Sequence, residues 1–402
     1  MATRHSMRQK QFSERQMIRA FTLLLALGMT LPAGAAQPQK ILVFTYKLSP
    51  SWIAEHGNEY VFVWGASDNS IEAFSSHAPH AVLSKYFPYS RDPDAKHDIN
   101  FWKKTHPSWI EFECDGRTPA TMYGGKNVSL DINNPEVAQW QAKIFSALPV
   151  GVHEVALDNY QFNSRSHACG NAVNGKFIAR YTGEKVDATF ANDIVRWLEQ
   201  VSRALHARHI KVTINHTPDL TSSGDDPSSP LVQRMVSAVD GILDEGAARS
   251  LKSANLNATL AKLVEYASAK GKHYYFLYRL APFNEGTVQS AMASYLTMAS
   301  TNTAVYMHPL DQHYGSNPPQ FLGYDKTIGE PCGPATRHGG LIIRLYSQGM
   351  TAFAPPKLPT QTLSIAPGYE DVRGEPVGLS LQMAGAQGRV VYRQDANGCK
   401  QH

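Results

Sequence analysis

Between residues 40 and 310 the chain alternates short apolar runs with longer amphipathic stretches. The runs fall at 41–46, 60–64, 81–87, 153–158, 211–215, 241–245, 273–278 and 303–308. Each is nearly unbroken in apolarity, the pattern of strands buried on both faces of a parallel sheet. Helical patterns separate several of them. One opens at Pro135 after Asn133 and Asn134, which are cap candidates. Another, over 190–205, places Ile194, Trp197, Leu198, Val201 and Leu205 on one face. The stretches 260–269 and 288–298 are similar. The later strands recur about every 30 residues, the length of one βα unit. Eight strands in this span predict an α/β fold, a (β/α)8 TIM barrel over residues 38–315. A doubly wound open sheet is the competitor, disfavoured because no glycine-rich phosphate turn follows any strand. The connection 88–134 is too long for a plain loop; it predicts a hairpin around 109–112 that covers the top of the barrel. Beyond residue 315 the pattern changes to short strands at 339–349, 350–354, 363–365, 376–381 and 389–392, with turn residues between them. This predicts a small C-terminal all-β appendage over 316–395.

Composition narrows the class. Of 402 residues, 43% are hydrophobic and 10% aromatic, which excludes disorder as the main state. No G-x-y period or sustained heptad is present. The formal charge of +4 sits in residues 1–35, where Arg4, Arg8, Lys10, Arg15 and Arg19 face only Glu14. The remaining body is neutral, which argues against nucleic acid as a partner. The basic start, the apolar run 21–31 and Ala33-Gly34-Ala35 have the layout of a secretory signal peptide over 1–35, with Met17 as an alternative start. The other reading is a membrane anchor, but the run is short for a span. The expectation is therefore a secreted or periplasmic protein with no stable membrane insertion after cleavage. Export makes one or two disulfides plausible among Cys114, Cys169, Cys332 and Cys399, with Cys114–Cys169 as the first pairing to test and free buried thiols as the alternative.

The chemistry is expected at the carboxyl ends of the barrel strands. Acids stand there twice: Asp158 closes the fourth predicted strand, and Asp244 and Glu245 close the sixth. An acid ending a buried apolar strand is costly unless solvated, paired or used. Two on one rim suit glycoside hydrolysis, in which one carboxylate attacks the sugar and a second carboxyl protonates the leaving oxygen. Asp244 and Glu245 alternate in direction, so only one can face the axis. Aromatics at strand ends or loop starts (Tyr46, Trp64, Tyr86, Tyr160, Tyr278 and Tyr306) are candidates for stacking on sugar rings. Lys85, Asn215, His216, Arg279 and His308 add polar groups at equivalent places, and Asp244 joins this substrate-binding set. The competing interpretation for each is a packed core residue, a helix cap or a satisfied loop residue. No G-x-S-x-G or H-E-x-x-H occurs, and the pairs His308/His313 and His77/His80 do not make a metal motif. No metal or cofactor is expected. Glycosylation sequons begin at Asn127, Asn215 and Asn257, and Asn215 is better used at a strand end.

The segments 109–116, 130–137, 155–159 and 239–245, followed by Gly329-Glu330-Pro331, 344–349 and Pro355, occur in an order that resembles a family of TIM-barrel glycoside hydrolases. That family is similar to endo-α-1,4-polygalactosaminidases and, more distantly, to α-galactosidases. The resemblance spans most of 40–395 as short motifs. It implies Asp158 as nucleophile and Glu245 as acid/base. Those relatives often carry a second acid where this chain has Asn159-Tyr160. The expected function is an exported, retaining hydrolase of a polysaccharide, with an exopolysaccharide or cell-surface glycan as substrate. The alternatives are a non-catalytic glycan-binding protein and a scaffold partner in polysaccharide secretion. Neither sugar, linkage nor oligomeric state is legible.

Overall fold

The computed structural model describes residues 40–43, 48–89, 94, 97–122, 127–219, 225–313, 322–323, 326–395 and 399. The expected signal peptide, residues 1–35, and Tyr46 lie outside the described residues. No helix among the described residues is long and apolar enough to cross a membrane.

In chain order the strands are β1 (Lys40–Val43), β2 (Tyr60–Trp64), β3 (Val82–Pro88), β4 (Glu111–Phe112), β5 (Thr121–Met122), β6 (Asn127–Val128), β7 (Glu154–Asp158), β8 (Gly170–Val173), β9 (Lys176–Ala179), β10 (Lys211–Asn215), β11 (Gly241–Asp244), β12 (His273–Leu280) and β13 (Thr303–Pro309). Eight of them close a barrel in the order β1-β2-β3-β7-β10-β11-β12-β13, and every pairing is parallel. Together with the C-terminal sheets described below, this is the (β/α)8 TIM barrel with an all-β appendage that the patterning predicts.

The helices start where side chains can satisfy their first free N–H groups. Asn134 accepts from Glu136 N ahead of the helix Pro135–Phe145, and Asp187 accepts from Phe190 N ahead of Ala188–His206. The latter buries Ile194, Trp197, Leu198, Val201 and Leu205 against the barrel. A polar group taken along is paired: Trp197 Nε1 donates to Gln141 Oε1 at 2.7 Å, and Gln141 Nε2 donates to the Tyr89 carbonyl at 2.8 Å.

Residues 109–112 do pair within their own connection: Phe112 bridges antiparallel to Pro119, and Glu113 N donates to the Thr118 carbonyl and Ala120 N to the Glu111 carbonyl, each at 2.8 Å. β4 also pairs antiparallel with β8, which pairs with β9, so the loop after β7 extends the sheet. Two nonlocal forces set this arrangement. Trp109 and Ile110 pack with Trp102, Val128 and Leu130, and a disulfide joins Cys114 to Cys169 just beyond the paired segment. Gly183 lies over that bond with φ +77°, and a Cβ there would fall 2.6 Å from Cys169 Sγ. Only glycine fits both the conformation and the space.

After the barrel come β14 (Thr336–His338), β15 (Leu341–Tyr346), β16 (Gly349–Phe353), β17 (Gln361–Ser364), β18 (Ser380–Met383) and β19 (Gly388–Tyr392). β14-β15-β16-β19 form one antiparallel sheet and β17-β18 another. The larger sheet packs on the helix Glu285–Met298: Thr351 Oγ1 donates to the Ala293 carbonyl at 3.3 Å, and Gly388 N donates to Ser290 Oγ at 3.2 Å. A second disulfide joins Cys332 to Cys399.

The amino end of the barrel carries a buried acid. Glu154 accepts from the Thr213 hydroxyl, and burial pushes its carboxyl up to about 7 despite that bond. A carboxyl raised by folding favours the protonated native state. Its contribution is full below the unfolded value and is lost as pH rises through about 7. The shift corresponds to about 3 kcal/mol. Glu154→Gln keeps the acceptor and removes the titration. In urea unfolding, the variant is therefore expected to gain stability relative to the parent between about pH 5 and pH 8. An equal difference at both pH values would refute this assignment.

Candidate active site

The two-residue period of a strand decides which side chains can meet inside the barrel. Ala156, Leu243, Tyr275, Leu277 and Tyr306 share one interior cluster, whereas Val155, Leu157, Ile214, Ile242, Phe276 and Tyr278 pack outward against the helices. By this parity Asp158, Asn215 and Glu245 belong to the interior set, and Asp244 and His216 to the exterior set.

The inward groups converge at the carboxyl end. Asp158 Oδ1 accepts from Asn215 Nδ2 at 2.7 Å. Asp158 Oδ2 accepts from Tyr86 Oη at 2.8 Å and from Asn159 Nδ2 at 2.7 Å. The same Asn215 nitrogen donates to Glu245 Oε2 at 2.9 Å. The two acceptor oxygens are thus no further apart than about 5.6 Å, the sum of 2.7 and 2.9 Å. Both carboxyl side chains belong to residues of intermediate exposure, so neither is sealed off.

Local backbone makes this arrangement possible. Asn159 turns the chain off β7 with φ 64°, a left-handed conformation that asparagine tolerates. Its amide folds back onto Asp158, and its Oδ1 accepts from Arg165 Nη1 at 2.7 Å. Glu245 is followed by Gly246, whose N–H donates to Asp244 Oδ1 at 2.8 Å and Thr217 Oγ1 at 3.1 Å. A Cβ at Gly246 would lie 2.2 Å from Thr217 Cγ2, so glycine allows the loops after β10 and β11 to close together beside Glu245.

Burial raises the Asp158 carboxyl above the usual carboxylate range, and the charge of Glu245 adds to the rise. Hydrogen bonds from Asn215 and Tyr86 pull it back. Three side-chain donors on one carboxyl favour its ionised form, because a carboxylate only accepts. Beside Glu245 opens a cavity of about 350 Å³, within the range of small-molecule sites. Gln161, Asn163, Arg165, Lys185, Arg249 and Arg279 are among its lining residues.

The sequence candidates divide sharply. Asp158, Glu245, Asn215 and Tyr86 come together, and Arg279 lines the cavity, with its Nη2 donating to the Leu310 carbonyl at 2.9 Å. Trp64, Tyr306 and His308 are enclosed, each at most 1% exposed. The others do not reach the mouth. Lys85 turns to Asp68, with Nζ and Oδ1 2.7 Å apart. Tyr160 and Tyr278 are fully buried in the helix-facing core. His216 Nε2 lies 2.9 Å from Asp225 Oδ1, and Asp244, whose carboxyl burial pushes up to about 6, has the Tyr274 hydroxyl 3.5 Å away. Their physical reason is parity: each of Lys85, His216, Asp244 and Tyr278 neighbours an inward residue and so points the other way. Residues that sequence reasoning missed are Arg165 and Lys185, from the long loop after β7, and Arg249, from the loop after β11, none of which has a local signature; Asn159, directly after the strand acid, could have been suspected. Among the described residues no group of three or more His, Cys, Asp and Glu side chains is placed to hold a metal ion.

No family model and no curated protein matches the chain. Solved structures align with it over most of its length. An α-amylase from Lactobacillus plantarum aligns at TM-score 0.48 and 8% identity, covering 88% of this chain and 98% of that one. The ligand-free cyclic α-maltosyl-(1→6)-maltose hydrolase from Arthrobacter globiformis aligns at 0.45 and 12%, covering 90% and 92%. A xylosidase from Aspergillus niger aligns at 0.45 and 9%, covering 92% and 67%.

Proposed function

We propose that this chain is an exported glycoside hydrolase that cleaves a polysaccharide by a retaining, two-carboxylate mechanism. The observation that carries the proposal is the single Asn215 nitrogen bonded to both Asp158 and Glu245. It keeps one oxygen of each carboxyl within about 5.6 Å of the other, which is compatible with the ≈5–5.5 Å of retaining enzymes and short of the ≈6.5–9.5 Å needed to seat a water for inversion. Asp158, as a carboxylate, attacks the anomeric carbon. Glu245, on the cavity wall, protonates the departing glycosidic oxygen. A glycosyl ester on Asp158 forms as that bond breaks. Glu245, now a carboxylate, then takes a proton from water, whose oxygen displaces Asp158 from the anomeric carbon and regenerates both groups. Tyr86 and Asn215 steady the Asp158 charge as it is spent and recovered.

The basic and apolar start of the chain supports export, and two disulfides fit an oxidising compartment. The direct test is reducing-end release from a panel of exopolysaccharides and cell-surface glycans. Time-dependent release from at least one glycan, absent in Asp158→Asn, is the expected outcome. Binding of glycan without release across the panel would favour a non-catalytic binding protein or a secretion scaffold instead.

A further inference from the structure

The cavity beside Glu245 differs in charge from the rest of the molecule. Outside residues 1–35 the chain has no net charge, yet the cavity gathers Arg165, Lys185, Arg249 and Arg279 against two acids, Asp219 and Glu245. Lys185 Nζ lies 3.4 Å from Asp219 Oδ2. Arg165 and Arg249 are held by neutral acceptors, the Asn159 side chain and the Pro218 carbonyl, and among the described residues neither takes part in an ion pair. A guanidinium has five N–H donors in a rigid fork. One anchoring bond can fix its plane and still leave it able to grip an oxyanion at two points. Arg165 also reaches Asp158 through Asn159, so the cationic wall begins two hydrogen bonds from the reacting carboxylate. Among the described residues no aromatic ring lines this cavity, so the described wall offers charged and amide groups in place of a ring face for a neutral sugar.

Resting on the hydrolase assignment above, we infer that the glycan taken by this site is anionic, bearing carboxylate or sulfate groups on sugars that sit beside Glu245. Arg165 and Arg249 grip such a group, while Lys185 and Arg279 add positive potential at the mouth.

The test uses the full chain with Asp158→Asn, so that nothing is turned over, and isothermal titration calorimetry. The probes are oligogalacturonides, their carboxyl-reduced neutral counterparts, sulfated galactan oligosaccharides and the same oligosaccharides desulfated. At least one charged probe is expected to bind about tenfold or more tightly than its neutral counterpart, with the advantage shrinking as salt rises. Whether the carboxylate or the sulfate pair shows the larger difference identifies the group. Adding Arg165→Gln and Arg249→Gln together is expected to erase the difference. Arg249→Lys should keep part of it, and Arg337→Gln, on the remote exposed strand β14, should leave it unchanged. Neutral probes binding as tightly as charged ones, or a preference indifferent to Arg165 and Arg249, would overturn the inference. Hydrolysis by the parent chain is scored separately. Cleavage of neutral glycans alone sinks the inference and leaves the hydrolase assignment standing; Arg-dependent binding of charged probes without cleavage does the reverse.

Discussion

Replacing Asp158 with Asn is expected to lower turnover by about 10³-fold or more, with little change in fold, because Asn keeps the size and removes the charge that attacks the anomeric carbon. Glu245→Gln is expected to cost a similar factor on natural polysaccharide, where the leaving sugar oxygen is a poor leaving group and needs a proton. The two variants should separate on an aryl glycoside with an electron-poor phenol. Such a leaving group departs without protonation, so Glu245→Gln recovers much of the first step and Asp158→Asn does not. Burst kinetics, with phenol released ahead of slow deglycosylation, are the signature to seek in Glu245→Gln. Equal loss in both variants on both substrates would mean that the two carboxyl groups do not hold separate roles.

The second large effect is expected at Asn215. Its one nitrogen bonds both carboxyl groups, at 2.7 Å and 2.9 Å. Asn215→Ala removes a donor from Asp158 and leaves two carboxyl groups facing each other with less to separate their charge. Donation by Asn215 pulls the Asp158 carboxyl down against burial. Losing it lets that carboxyl rise further, so a higher pH is needed to ionise the nucleophile. The acidic limb of the kcat/KM profile should therefore move to higher pH, and kcat should fall by about 10²-fold. A kcat loss with an unmoved acidic limb would assign Asn215 to substrate contact instead of the carboxyl pair.

The eight barrel strands were legible because a strand buried on both faces must be apolar along its length, and this leaves a mark that local pattern detects. Glu245 over Asp244 was not legible. The sequence shows that only one of the pair can face the axis, but register across β10 and β11 decides which, and register is a property of neighbours. Of the aromatic candidates Tyr86 reaches the site, and Tyr278 misses it through the same dependence on strand direction. Tyr278 alternates with Arg279 on β12, and the barrel keeps Arg279 on the side of the cavity while Tyr278 serves the helix core. Trp64 and Tyr306 do join the interior cluster, where packing seals them. The cationic wall was invisible for a different reason. Arg165 and Lys185 lie at opposite ends of the long loop after β7 and Arg249 on the loop after β11, and their approach depends on the Cys114–Cys169 disulfide, the Asn159 turn and the close passage at Gly246.

The claim beneath these expectations is that Asp158 and Glu245 act on opposite sides of one bond at a separation that admits no intervening water. Proton NMR of the first product, taken before mutarotation, tests this most directly. The geometry predicts a product with the anomeric configuration of the substrate, together with a glycosyl adduct on the peptide containing Asp158 when Glu245→Gln is stopped in turnover. An initial product of opposite configuration, with Asp158 unmodified, would contradict it.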